Sequence, residues 1–227
     1  MLRLDTREMS FHLSSVLATA VGPHLYWIAS RAAGSVALIL SSVSVCIGLS
    51  MGGRLLKGRG PDLRVAHEAL SLATIAALLV HGLTLLGDGF LHPSLGDLAI
   101  PFLSGHLTLW TSMGIIAFWM MLLLGLSYYA RARIGVQRWR MLHRFTALAW
   151  MLGIVHSLGE GTDAGETWFL AMTAIVVLPA LGLLLMRLIS SSSASRAEQR
   201  PGNRPGHAQP TASHSPVTDI APTLIHH

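Results

Sequence analysis

Five runs of apolar residues, each close to the length that crosses a lipid bilayer, constrain this chain more than any other feature. They occupy residues 25–50, 66–87, 107–130, 139–159 and 168–189. A bilayer's hydrocarbon core is about 30 Å thick and takes ~20 helical residues to span. In that solvent the backbone has no partner but itself, so each run is expected to be an α-helix despite its internal Gly and Ser. Charge points the same way. Only 12% of the 227 residues are charged, against roughly 25% in soluble domains, and that is too few to cover a water-facing surface. The expected fold class is all-α, an integral membrane helix bundle of about five transmembrane helices.

The connecting segments carry the orientation. Residues 52–64 contain Arg54, Lys57, Arg59 and Arg64, residues 131–140 contain Arg131, Arg133, Arg138 and Arg140, and Arg187 at the end of the last run is followed by Arg196, Arg200 and Arg204. The alternate connections differ: residues 88–106 have no Lys or Arg, and residues 157–166 carry Glu160, Asp163 and Glu166 with no basic residue. By the positive-inside rule the basic segments face the cytoplasm, so the amino terminus is expected outside and the carboxyl terminus inside. The formal net charge of +5 is spread over these loops and implies a membrane topology rather than a nucleic-acid partner. The expected setting is a bacterial plasma membrane, crossed several times.

Three regions follow. Residues 1–24 mix polar and apolar side chains without the charged, apolar, then small order of a cleaved signal peptide, and read as an extracytoplasmic segment. Residues 25–189 form the transmembrane domain. Residues 190–227 are rich in Ser, Pro, Gly and His and read as a disordered cytoplasmic tail, with His207, His214, His226 and His227 solvated in preference to binding a metal weakly. The single cysteine, Cys46, can form no internal disulfide.

Four histidines lie inside apolar runs. His67 and His81 are 14 residues apart on the second run, and His143 and His156 are 13 apart on the fourth. These separations correspond to rises of roughly 21 and 20 Å. One run lies between the two, so both point the same way through the bilayer. His67 then shares a level with His143, and His81 shares one with His156. Ionisable residues within a span are costly and mark function by default. A haem that carries electrons takes two axial ligands, one on each face, and two parallel helices supply one imidazole each per level. With no C-x-x-C-H in the chain, attachment would be non-covalent, as in haem b. The phase is uneven: 14 residues return within about 40° of the start, whereas 13 leave about 140° of mismatch on a straight helix. A distorted fourth helix, with Gly153 as a site, or different azimuths for the two haems would accommodate it. His92 and His106 fall in an outer loop and read as ordinary polar residues.

Three stretches resemble the ferric reductase-like transmembrane domain family: HEALSLATIAALLVHG from His67, WRMLHRFTALAWMLGIVHSLGEGTD from Trp139, and IASRAAGSVALIL from Ile28. That family includes small actinobacterial membrane proteins, the haem domains of NADPH oxidases and ferric reductases, and the haem-binding subunit of a bacterial methionine sulfoxide reductase. The resemblance covers residues 25–189 and implies two b haems, His67 and His143 on one, His81 and His156 on the other, with the same uneven spacing. There are departures. The oxidases have six helices where five are expected here, and the position where relatives often carry a basic residue is occupied by His106 and Leu107. The oxidases continue into a flavin and nicotinamide domain, whereas no G-x-G-x-x-G follows a strand pattern in these residues. Flavin is therefore expected only on a partner.

Two further arginines are candidates. Arg31 lies at the depth of His81 and either forks onto a propionate of the outer haem or snorkels to the interface; the resemblance favours the propionate. Arg144, with Arg64, is at the inner level and could serve the other haem. Glu68 beside His67 is left without a role. The functional expectation is a transmembrane electron-transfer subunit, fed by a cytoplasmic flavin reductase or a quinol and delivering to ferric iron, oxygen or an extracytoplasmic redox protein. The alternatives are a haem-free transporter or proton conductor using the same histidines, and a structural membrane subunit.

Overall fold

The computed structural model of the chain describes residues 6–53, 60–89, 92–105 and 107–198, with side chains from residue 24 to residue 190 of these. Its elements are all helical: α1 (Thr6–Gly52), α2 (Gly60–Leu85), α3 (Leu95–Ala99), α4 (Thr108–Leu126), α5 (Arg131–Ile134), α6 (Val136–His143), α7 (Thr146–Glu160) and α8 (Thr167–Glu198). Two units separate, residues 1–189 and residues 190–227. In the second, the residues described, 190–198, are helical. The rest of the expected tail, with its histidines, lies outside the described residues.

Four helices are long and apolar enough to cross a membrane: His24–Gly52 within α1, α2, α4, and Thr167–Ser190 within α8. The fourth expected run is not one continuous rod. It is divided into α6 and α7, and α7 has 15 residues. The division follows the charge. α6 carries Arg138, Arg140 and His143, is polar overall, and gives way at Arg144 and Phe145 before the apolar α7 begins. The first apolar run likewise belongs to a longer helix that starts at Thr6, inside the segment expected to precede the bundle.

The bundle is apolar on the outside, and small hydroxyl residues share its interior with an apolar core. Leu83, Leu123, Ile175, Leu178 and Met186 are all more than 60% exposed, whereas Ser30, Ser41, Ser42, Ser44, Thr74, Ser112 and Thr173 are buried. A soluble protein could not keep that surface in water. In lipid, apolar chains gain nothing by hiding from their surroundings, and helices associate through small residues that let backbones approach, with hydroxyls bonding within and across helices. Ser42 does both: its Oγ donates to the Leu38 carbonyl at 2.7 Å and accepts from the Trp150 indole Nε1 at 3.0 Å. The chain is a membrane helix bundle.

The helices associate as two intimate pairs, α1 with α2 and α4 with α7. α7 joins them through Trp150, 1% exposed, which packs with Leu38 of α1, Ile154, and Phe169, Val177 and Ala180 of α8. Pro179 sits inside α8 and withholds one N–H from the ladder, which a helix supported by neighbours in a bilayer tolerates. The segment between α2 and α4 is anchored back onto α4. Ser94 and Asp97 form a capping box at α3, and the Trp119 Nε1 donates to the Ala99 carbonyl at 2.9 Å. Asp97's carboxyl is held below the usual range by the Ser94 hydroxyl and backbone N–H it accepts from.

Candidate haem site

The four intramembrane histidines come together in twos. The ring centres of His67 and His143 are 6.1 Å apart with planes crossed at 87°, and those of His81 and His156 are 6.4 Å apart at 72°. α2 supplies His67 and His81, α6 ends on His143, and α7 carries His156. Parallel passage of the two helix lines thus places one histidine from each at each level. The mismatch expected of a straight helix does not arise, because the helix is broken between the two residues. Arg144, Phe145 and Ala147 donate to carbonyls three residues back, a tighter winding that adds azimuth in the sense needed. The break is at residues 144–145, not at Gly153, which lies within α7.

Three of the four rings are held at Nδ1 by hydrogen bonds to a neighbouring helix. The Nδ1 of His67 lies 3.0 Å from the Ser44 carbonyl and 3.0 Å from its hydroxyl. The Nδ1 of His81 lies 2.8 Å from the Ser30 carbonyl and 3.0 Å from its hydroxyl. His156 Nδ1 lies 2.9 Å from the Trp110 carbonyl. His143 Nδ1 is buried without a hydrogen bond of normal geometry, and the carbonyl facing it is that of Leu124. The same 14-residue interval that separates His67 from His81 separates Ser44 from Ser30 and Leu124 from Trp110.

Close approach needs glycine. A Cβ on Gly34 would stand 3.1 Å from His81 Nδ1, one on Gly48 would stand 3.1 Å from His67 Cε1, and one on Gly114 would stand 2.7 Å from His156. Ser30-x3-Gly34 and Ser44-x3-Gly48 are therefore one device used twice on α1: a carbonyl for the histidine's Nδ1 and, one turn on, room for its ring. The repeat is visible in the sequence, yet it means nothing until the helix opposite is known to carry histidines at the same interval.

This arrangement fits an axially ligated haem. A backbone carbonyl on Nδ1 fixes that nitrogen as the N–H and leaves Nε2 as the donor, the orientation found behind most metal-bound histidines. Two imidazoles sharing one iron at ~2.0 Å each have ring centres about 6.2 Å apart, since each centre lies about 1.1 Å behind its nitrogen. Both pairs stand at that separation, and among the described residues neither pair is joined by a direct hydrogen bond. Trp139 stacks on His143 with ring centres 5.0 Å apart, and its buried Nε1 has no partner. That leaves one donor at the His67–His143 level for an acceptor carried by a bound group.

The two candidate arginines have different surroundings. Arg31 meets a carboxylate, but it is Asp163: Nε donates to Oδ2 at 2.8 Å and the Nη2 group to Oδ1, while Trp27 stacks 4.1 Å beneath the guanidinium. The sequence places Asp163 only in an acidic outer loop; here it is buried, 9% exposed, and ties that loop to α1. Arg144 is exposed beside His143 at the helix break, and Arg64 is exposed on the first turns of α2. Glu68 accepts from the Tyr129 hydroxyl at 2.7 Å, which raises the phenol's pKa. His92 sits between α2 and α3 with φ 43°, and His106 lies outside the described residues. No protein-family model, curated protein or solved structure matches this chain.

Proposed function

We propose that this chain is a transmembrane electron-transfer subunit holding two b-type haems, with His67 and His143 as the axial ligands of one and His81 and His156 of the other. The observation that carries this reading is the spacing of the two imidazole pairs, each at the separation of a shared iron, with Nδ1 engaged or faced by a carbonyl behind it. When bound, such haems carry single electrons from one level of the membrane to the other. The chain's own residues do the rest. Ser30, Ser44 and Trp110 orient the imidazoles through their carbonyls. Gly34, Gly48 and Gly114 allow the rings to lie against α1 and α4. Trp150, held by Ser42, fills the core of the bundle at a sequence position between the two ligands of its helix line.

The resemblance to ferric reductase-like membrane domains supports the same role. The donor is then a cytoplasmic flavin reductase or a quinol, the acceptor ferric iron, oxygen or an extracytoplasmic redox protein, and the setting a bacterial plasma membrane with the amino terminus outside. The test is a reduced-minus-oxidised spectrum with pyridine haemochrome quantification on protein purified from haem-replete cells. Close to two haems b per chain are expected. Replacing His81 or His156 by Ala should remove one spectral component, and replacing His67 or His143 the other. A colourless protein would defeat the proposal and return the histidines to a proton-conducting or structural role.

A further inference from the structure

The two histidine levels differ in what stands behind them. At the His67–His143 level, among the described residues, the Nδ1 atoms face Ser44 and the Leu124 carbonyl. At the His81–His156 level a carboxylate is present. Glu160, one turn beyond His156 on α7, places Oε2 3.3 Å from His156 Nδ1, beside the Trp110 carbonyl at 2.9 Å. The carboxylate is itself held, because Thr111 Oγ1 on α4 donates to Oε1 at 2.8 Å. Adjacent residues of α4 thus grip both the imidazole and its carboxylate, and the two side chains are only 24% and 22% exposed.

We propose that Glu160 is a positioning residue that lowers the reduction potential of the haem held by His81 and His156, with Thr111 fixing its carboxylate. The inference rests on the haem reading above. An imidazole whose Nδ1–H is shared with an anion donates more strongly through Nε2. A stronger axial donor and a nearby negative charge both favour ferric over ferrous iron, since second-shell hydrogen bonding is among the levers that set haem potentials. No such carboxylate contacts the other pair among the described residues, so the effect is confined to one level.

The experiment is a potentiometric titration of the full chain, purified with its haems, followed in the visible spectrum. The two components are assigned by their loss in His81→Ala and His67→Ala. Glu160→Gln keeps the side chain's shape and removes its charge. The expected result is a roughly tenfold shift of the His81–His156 component toward the reduced form, which for a one-electron couple is ~59 mV, with haem content and the other component unchanged. Thr111→Val should move the same component in the same direction by less, and Glu160→Asp should sit nearer the parent than Glu160→Gln. Full haem content with neither component moved, or with both moved equally, overturns the inference. If Glu160→Gln sheds haem, Thr111→Val decides, and an unmoved component there overturns it. A parent protein without haem defeats the earlier proposal before any variant is read, so the two failures are distinct.

Discussion

The glycines beside the histidines give the sharpest quantitative test of the site. In Gly34→Ala the new methyl stands 3.1 Å from the His81 ring, and in Gly48→Ala it stands 3.1 Å from that of His67. Comfortable contacts between carbon atoms lie at about 3.5–4.0 Å, so each ring must retreat by at least ~0.4 Å. The retreat stretches Nδ1–carbonyl bonds of 2.8 Å at Ser30 and 3.0 Å at Ser44 toward or beyond the limit of a good hydrogen bond, and it crowds the opposite imidazole. Gly114→Ala is tighter still, at 2.7 Å from His156. Overpacking of this kind costs about 1–3 kcal/mol, which is roughly 5- to 150-fold in an equilibrium constant. Gly34→Ala and Gly48→Ala should fall near the lower figure and Gly114→Ala near the upper. Gly82 and Gly153 have nothing within 4 Å of a Cβ, so alanine there should be neutral and serves as the control. The assay is haem retained per chain against a competing apoprotein, read separately for the two spectral components. Gly34→Ala and Gly114→Ala should weaken the His81–His156 component, and Gly48→Ala the other. Equal retention in Gly34→Ala and Gly82→Ala, or loss of the wrong component, would refute the assignment of levels and the close-packing argument together.

Other outcomes follow from the same geometry. Asp163→Asn removes the charged partner of the Arg31 fork; hydrogen bonds to charged groups are worth about 1.5–3 kcal/mol, so the thermal midpoint in detergent should fall, and an unchanged midpoint would show the pair idle. NADPH added to the purified chain should reduce no haem, because hydride transfer needs a flavin in a fold with a phosphate-binding turn; a cytoplasmic flavin reductase or a quinol should restore reduction, whereas NADPH-driven reduction without either would mean that the chain binds the nucleotide itself. A reporter fused to the carboxyl terminus should be active only in the cytoplasm, and activity only on the far side would reverse the orientation.

Much of this molecule is legible along the chain. Hydropathy is a property of each residue's own transfer into lipid, so the runs that become the membrane-length stretches of α2, α4 and α8 are visible without any knowledge of neighbours, with ends misplaced by at most six residues. The two histidine levels are legible for a related reason: helical rise is fixed per residue, so an interval of 14 against 13 converts directly into depth. What tertiary structure alone decided is what depends on rotation and distance between helices. That Ser30 and Ser44 turn their carbonyls to His81 and His67, and that Gly34 and Gly48 stand aside for the rings, depends on how α1 faces α2. That Arg31 takes Asp163, 132 residues away, as its carboxylate depends on a loop folding back over α1. That the helix line carrying His143 and His156 breaks at residues 144–145 rather than at Gly153 reflects a balance between a polar half and an apolar half. A residue's burial preference can be read locally, but the partner it is buried against is chosen by another part of the chain.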